Sequence, residues 1–276
     1  MAKPKSVLIT GCSAGGIGSE FVLEFQRRGH LVFATARDTT KMSHLSNLSN
    51  VILLELDVTS QKSVTAAAAA VASKTDGTLD VLVNNSGMAY VMPMLDSDLA
   101  QSKSVFDVNV FGVLLMSQAF APHLVKNRGS IVNVCSVSGH LPMPYMSIYQ
   151  ASKAATEMLS ETMRLEMAPL GVRVLSVVTG AIVSNVMNNT PNAMVPEGSH
   201  YAPAQEEISK LAEDKLGLKR TPADVFAKAV VDDVIAGASG KIWRGAMAGS
   251  TNLLSHYAPS CIIVRLRPIR HHLNQA

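Results

Sequence analysis

Tyr149 and Lys153 stand four residues apart in the run Ser147-Ile148-Tyr149-Gln150-Ala151-Ser152-Lys153, at the head of a segment with a helical pattern. That spacing puts both side chains on one face of a helix. A phenol titrates near ~10, so a tyrosine that exchanges protons near neutral pH needs a neighbouring cation to stabilise its phenolate. Lys153 is placed to be that cation, and the chemistry would be general acid–base catalysis. Taken alone, the pair also describes an aromatic ring packed beside a solvated lysine.

The segments upstream bear on that choice. Lys5-Ser6-Val7-Leu8-Ile9-Thr10 reads as a buried strand and turns at once into Gly11-Cys12-Ser13-Ala14-Gly15-Gly16-Ile17-Gly18, followed by the helical pattern Ser19 to Phe25. Strand, glycine turn and helix make a phosphate cradle, because glycines admit a pyrophosphate to the backbone and the helix start offers free amides. The second apolar run, Leu31 to Thr35, ends in Ala36-Arg37-Asp38. A NAD site usually places an acid where Ala36 stands. Arg37 beside it matches the 2′-phosphate of NADP(H); the alternative is an exposed arginine paired with Asp38.

With these residues in order, the chain resembles the short-chain dehydrogenase/reductase family over nearly its whole length. Thr10-Gly11 through Gly16-Ile17-Gly18 resembles the family's cofactor loop, Leu56-Asp57-Val58-Thr59 its adenine segment, and Asn84-Asn85-Ser86-Gly87 its Asn-Asn-Ala-Gly motif. Asn109 matches the asparagine of the family's proton relay, and Ser136 its serine, thirteen residues before Tyr149. The resemblance implies a catalytic tetrad of Asn109, Ser136, Tyr149 and Lys153. It implies cofactor contacts from Gly11, Ser13, Gly16, Ile17, Gly18, Arg37, Asp57, Val58, Asn84, Ser86 and Gly87, from Tyr149 and Lys153, and from Gly180, Ile182 and Ser184. In that reading NADPH reduces a ketone, Tyr149 protonates the oxygen, Ser136 holds it, and Asn109 anchors a water joining Lys153 to solvent. Within the family the wording is most similar to the NADPH-dependent 1-acyldihydroxyacetone-phosphate reductase branch.

Three departures from the family pattern stand out. Four residues rather than three separate Gly11 from Gly16; Thr179-Gly180 replaces Pro-Gly, with Ser184 where a threonine is usual; and Ser86 replaces an alanine. None touches the tetrad.

Apolar runs near residues 6–10, 31–35, 51–55, 80–84, 130–135, 173–178 and 241–244 alternate with helical patterns. The expected fold is α/β, a single-domain Rossmann-type doubly wound parallel sheet of about seven strands with helices on both faces. A catalytic domain over 1–250 and a tail at 251–276 follow, and the resemblance implies a substrate lid at 181–221. The 47% hydrophobic content suits a sheet buried on both sides. A net charge of +3 is too small to argue for nucleic acid. Cys12, Cys135 and Cys261 have no zinc-site spacing, so no metal is expected and the thiols are read as reduced. The start, Met1 to Lys5, enters the first strand too early for a signal peptide, which sets a cytoplasmic expectation.

The stretch from Val105 to Val125 is nearly long enough to span a bilayer, but Asp107, Asn109, Gln118 and His123 interrupt it. A helix buried on most sides is the better reading, and the resemblance places it with the Tyr149 helix in a homodimer or homotetramer interface. Met88, Met92, Met94, Met143, Met146 and Met187 suggest an apolar, adaptable pocket. The lid, with Pro191, Pro196 and Pro203, would close over a bulky lipid-like or polycyclic ketone. The tail mixes Ile262-Ile263-Val264 with Arg265, Arg267 and Arg270; packing on the body or a partner competes with peripheral attachment to an anionic membrane. An NADP(H)-holding scaffold for non-redox chemistry, and a cofactor-sensing binding protein, are the alternatives to a redox enzyme.

Overall fold

The computed structural model describes residues 4–187, 193–213, 215, 217 and 219–258. Seven strands form one parallel sheet in the order β3-β2-β1-β4-β5-β6-β7: β1 (Ser6–Thr10), β2 (Leu31–Ala36), β3 (Val51–Glu55), β4 (Val81–Asn84), β5 (Ser130–Ser136), β6 (Arg173–Thr179) and β7 (Gly240–Arg244). The order reverses between β1 and β4, which opens a crevice at the carboxyl edge there. β1, β4 and β5 are buried along their whole length, as expected of strands covered on both faces.

Successive strand residues feed opposite layers. Val7 and Ile9 join Phe21 and Phe25 of α1 (Ile17–Arg27) and Phe226 of α7 (Ala223–Ile235) on one face. Leu8 and Leu82 join Val64, Ala67 and Ala68 of α2 (Gln61–Lys74) and Met116, Phe120 and Leu124 of α4 (Gly112–Asn127) on the other. The alanine run therefore does pack closely, through Ala67 and Ala68. α3 (Leu99–Phe106), the long α5 (Ser147–Met167), α6 (Gln205–Ala212) and α8 (Ala248–Tyr257) complete the helices that matter below.

Two expectations need correction. The span Leu99–Asn127 has the length and apolar composition to cross a membrane, but only 44% of its apolar window is buried. It is not buried on most sides: it packs one face inward and leaves Phe111 and Leu114 exposed. The boundary expected at residue 250 falls inside α8, whose Thr251 is buried. Pro191, Cys261 and the apolar and basic residues of the tail lie outside the described residues.

Candidate active site

Every strand end at the crevice delivers part of one elongated cavity of about 950 Å³. At its centre the glycine loop is locked from two sides. The Thr10 hydroxyl accepts the backbone N–H groups of Asn85 and Ser86, both at 2.9 Å, and the Asn85 amide donates to the Thr10 and Gly11 carbonyls at 2.8 and 3.2 Å. Gly11 and Gly15 take φ of +74° and +72°, which a side chain would oppose. α1 starts after Gly16, which offers no side chain to cap it, so its first amides face an anion-binding concavity. A dinucleotide pyrophosphate fits this cradle.

The extra loop residue has a consequence of its own. Asn185, beyond β6, donates to the Ala14 carbonyl at 3.1 Å and crowds the position a Gly15 side chain would occupy. The longer loop thus meets the segment that follows β6.

Gly11, Ser13, Gly16 and Ile17 line the cavity, as do Arg37, Asp57, Val58, Ser86, Gly87, Gly180, Ile182 and Ser184. Two expected contacts do not. Gly18 sits behind the loop, where a Cβ would run into the Gly11 carbonyl and come within 2.6 Å of the Asn85 amide; it is needed for helix–strand packing. Gly18→Ala should destabilise the fold by about 1–3 kcal/mol through overpacking, measured as a lower urea midpoint. Asn84 is turned into the core. Its amide donates to Asn133 at 2.8 Å, and Asn133 donates to Ser160 of α5 at 2.8 Å. Asn85 is the asparagine that borders the cavity.

Arg37 is exposed at the end of the cavity that β2 delivers. The rival pairing with Asp38 is not seen: the Asp38 carboxylate accepts from the Thr40 hydroxyl and backbone at 2.6 and 2.9 Å. Those bonds, side chain first, hold its pKa below the ordinary carboxylate value. Lys41 lines the same end, and its carbonyl accepts from Ala14 N at 3.0 Å. The sequence reading missed Lys41, although its place four residues after Arg37 was a usable signal.

Ser136, Tyr149 and Lys153 line the opposite end of the same cavity. Ser136 closes β5 and caps the next turn by accepting from Ser138 N at 3.1 Å. Tyr149 occupies the first turn of α5. Lys153, buried one turn on, donates to the Val134 carbonyl at 3.0 Å. The neighbouring Cys135 thiol is pushed up to about 12, burial outweighing the pull of the Lys153 charge. One turn further, burial raises the Glu157 carboxyl, but hydrogen bonds from His140 (2.6 Å) and Lys241 (2.5 Å) outweigh it and leave the group below its ordinary 4.5. That cluster stabilises the fold above the ordinary carboxylate range, and its contribution fades as pH falls through the lower folded value.

Asn109 lies in a π-helical turn, Asp107–Phe111, between α3 and α4, a local widening common at functional sites. Both of its amide N–H groups are engaged, with the Met88 carbonyl and the Ser152 hydroxyl at 2.9 Å each, and its Oδ1 accepts from Met88 N at 2.8 Å. Ser152 in turn donates to the Tyr149 carbonyl at 2.7 Å. The side chain is a clamp between the Met88 segment and α5.

Beyond Tyr149 the walls are rich in apolar side chains, Met88, Leu141, Met143, Met146, Met187, Leu211 and Met247, and Gln150, Arg220 and Thr251 also line the cavity. Met92 and Met94 are not part of them. Gln150 ties the loop ahead of α5 in place, donating to Leu141 O at 2.7 Å and accepting from Met143 N at 3.1 Å. Among the described residues no cluster of histidine, cysteine, aspartate or glutamate could hold a metal.

Residues 5–194 match the sequence signature of the short chain dehydrogenase family. The chain belongs to that family. This dehydrogenase is 44% identical to the short-chain dehydrogenase PC-15 of Penicillium crustosum over 88% of this chain and 89% of that protein. It is 39% identical to the NADPH-dependent 1-acyldihydroxyacetone phosphate reductase of Schizosaccharomyces pombe, over 75% and 71%. A short-chain dehydrogenase from Streptomyces avermitilis superposes with a TM-score of 0.81 at 27% identity, covering 96% of this chain and 97% of that one. The fold and the oxidoreductase class expected from the sequence are thereby established, and a non-redox scaffold or a mere cofactor sensor is not favoured.

Proposed function

We propose that this dehydrogenase is an NADPH-dependent reductase of bulky apolar ketones, acting reversibly as an alcohol dehydrogenase, with Ser136, Tyr149, Lys153 and Asn109 as its tetrad. The observation that carries the reading is the polarity of the main cavity, which runs from Arg37 and Lys41 through the glycine cradle to Tyr149 and a methionine-rich chamber. Arg37 and Lys41 would hold the 2′-phosphate, the glycine loop the pyrophosphate, and Lys153 the nicotinamide ribose. When bound, the cofactor supplies hydride to the carbonyl carbon.

The chain's own residues handle the oxygen. Tyr149 donates its hydroxyl proton to it, and the Ser136 hydroxyl holds it in place as negative charge develops. The Lys153 ammonium stabilises the phenolate left behind; its bond to Val134 O fixes the charge beside Tyr149 and leaves two N–H groups for the ribose. Asn109 and Ser152 set the position of α5 against the Met88 segment. The apolar chamber excludes water and favours steroid, polyketide-like or acyl-dihydroxyacetone-phosphate substrates over small sugars.

Loss of NADPH absorbance during a ketone screen tests this. The expected result is kcat/KM at least about tenfold higher for polycyclic or long-chain ketones than for small hydroxyketones; turnover confined to small polar carbonyls would sink it. We further infer a homodimer or homotetramer through the exposed Phe111, Leu114, Met158, Leu159 and Leu165 of α4 and α5 and the turn before them, checked by light scattering. Contact of residues 259–276 with an anionic membrane is decided by co-sedimentation with liposomes.

A further inference from the structure

The turn between β7 and α8 concentrates three unfavourable features on one residue. Met247 adopts φ +66° and ψ −8°, a left-handed conformation that non-glycine residues rarely hold without a functional reason. Its apolar side chain is 42% exposed. It also borders two cavities at once, the main one and a second of about 500 Å³ lined by Val225, Phe226 and Ala229 and by Lys219, Thr221 and Arg244. Among the described residues no other lines both.

The backbone gives Met247 no freedom to leave. Gly180 N donates to Arg244 O and Ala181 N donates to Ala246 O, each at 2.9 Å, and Gly180 packs so tightly on the Ala246 carbonyl that a Cβ could not fit. Met247 is therefore pinned at the carboxyl end of β6, whose Thr179 pairs in register with Ser136. The helix that follows is anchored as well. Thr251 N donates to Met247 O at 2.9 Å, and Thr251, fully enclosed, lines the same wall. The Trp243 ring lies between His140 at 4.6 Å and His256 at 6.3 Å.

We propose that Met247 determines substrate width: its side chain is the partition between the chamber beside Tyr149 and the side cavity. An apolar substrate face that covers it repays the exposure of the side chain. The partition stands on the turn between β7 and α8, tied to the end of β6 by the Gly180 and Ala181 bonds, so the limit it sets is independent of lid position. Ketones wider than the main chamber are refused until the partition is removed. This inference rests on the reductase reading.

The test uses Met247→Gly and Met247→Ala in the full chain saturated with NADP+. Binding of a bicyclic aryl ketone and of a tetracyclic ketone is measured by calorimetry, with kcat/KM measured in parallel with NADPH. Both variants should raise the tetracyclic-to-bicyclic binding ratio at least about tenfold. Met247→Gly should in addition melt at the parent temperature or above, because glycine accepts the positive φ. If Met247→Gly folds poorly, Met247→Ala alone decides. An unchanged binding ratio in a folded variant, with normal ketone turnover by the parent, overturns the inference and leaves the reductase reading intact. Parent protein that binds both ketones with the Met247-dependent ratio yet reduces neither overturns the reductase reading and leaves the inference standing.

Discussion

Tyr149→Phe is expected to lower kcat for ketone reduction by about 10³-fold, within the range a positioned general acid contributes, while NADPH affinity stays within about twofold. The separation follows from where the atoms lie. The phenol ring stands in the first turn of α5 and lines the cavity, so phenylalanine keeps the wall and removes only the proton donor. The groups proposed to carry the cofactor remain: the glycine loop, Arg37 and the Lys153 ammonium held by Val134 O. Lys153→Met is the informative contrast. It removes a buried cation that serves both the phenolate and the ribose, so both kcat and cofactor affinity should fall. Cofactor fluorescence titration and single-turnover absorbance measure the two quantities separately. Tyr149→Phe turning over ketone at the parental rate would remove Tyr149 from the chemistry and with it the tetrad.

The strands were legible because a parallel sheet covered on both faces forces continuous apolar runs, and each of the seven runs became a strand within a residue or two of its expected bounds. The gathering of Ser136, Tyr149 and Lys153 at one cavity was legible because they belong to one strand end and one helix, where spacing in the chain translates into position in space. What escaped were decisions taken by turns. Asn84 and Asn85 are adjacent in sequence, yet the pleat sends the first into the core to Asn133 and leaves the second at the cavity. Gly18 looked like a phosphate contact and is a packing contact. The π-helical turn at Asn109 depends on how α3 meets α4, and no residue pattern announces it. Met247 was passed over because methionine carries no signal for a left-handed turn; only the pairing of Gly180 and Ala181 with the end of β7 imposes it.

Arg37→Glu should invert the coenzyme preference, from NADPH bound at least about tenfold tighter than NADH to NADH bound tighter than NADPH. A charge-assisted bidentate contact with a phosphate dianion is strong enough for the first figure, and a carboxylate in its place adds repulsion while offering the ribose hydroxyls an acceptor. The local structure makes the change specific. Asp38 is turned to Thr40, whose backbone and hydroxyl both donate to its Oδ1, and Ala36 offers no acid of its own. Arg37 is exposed, so the parental preference should shrink as salt rises, whereas the apolar chamber beside Tyr149 should not respond. Lys41 at the same end of the cavity predicts that Arg37→Ala keeps part of the preference and that adding Lys41→Ala removes the rest. Dissociation constants for both coenzymes, measured by fluorescence titration at two ionic strengths, decide the matter. Equal parental affinities at low salt would show that the phosphate is not held here, and the end of β2 would then have to be read as a plain surface turn.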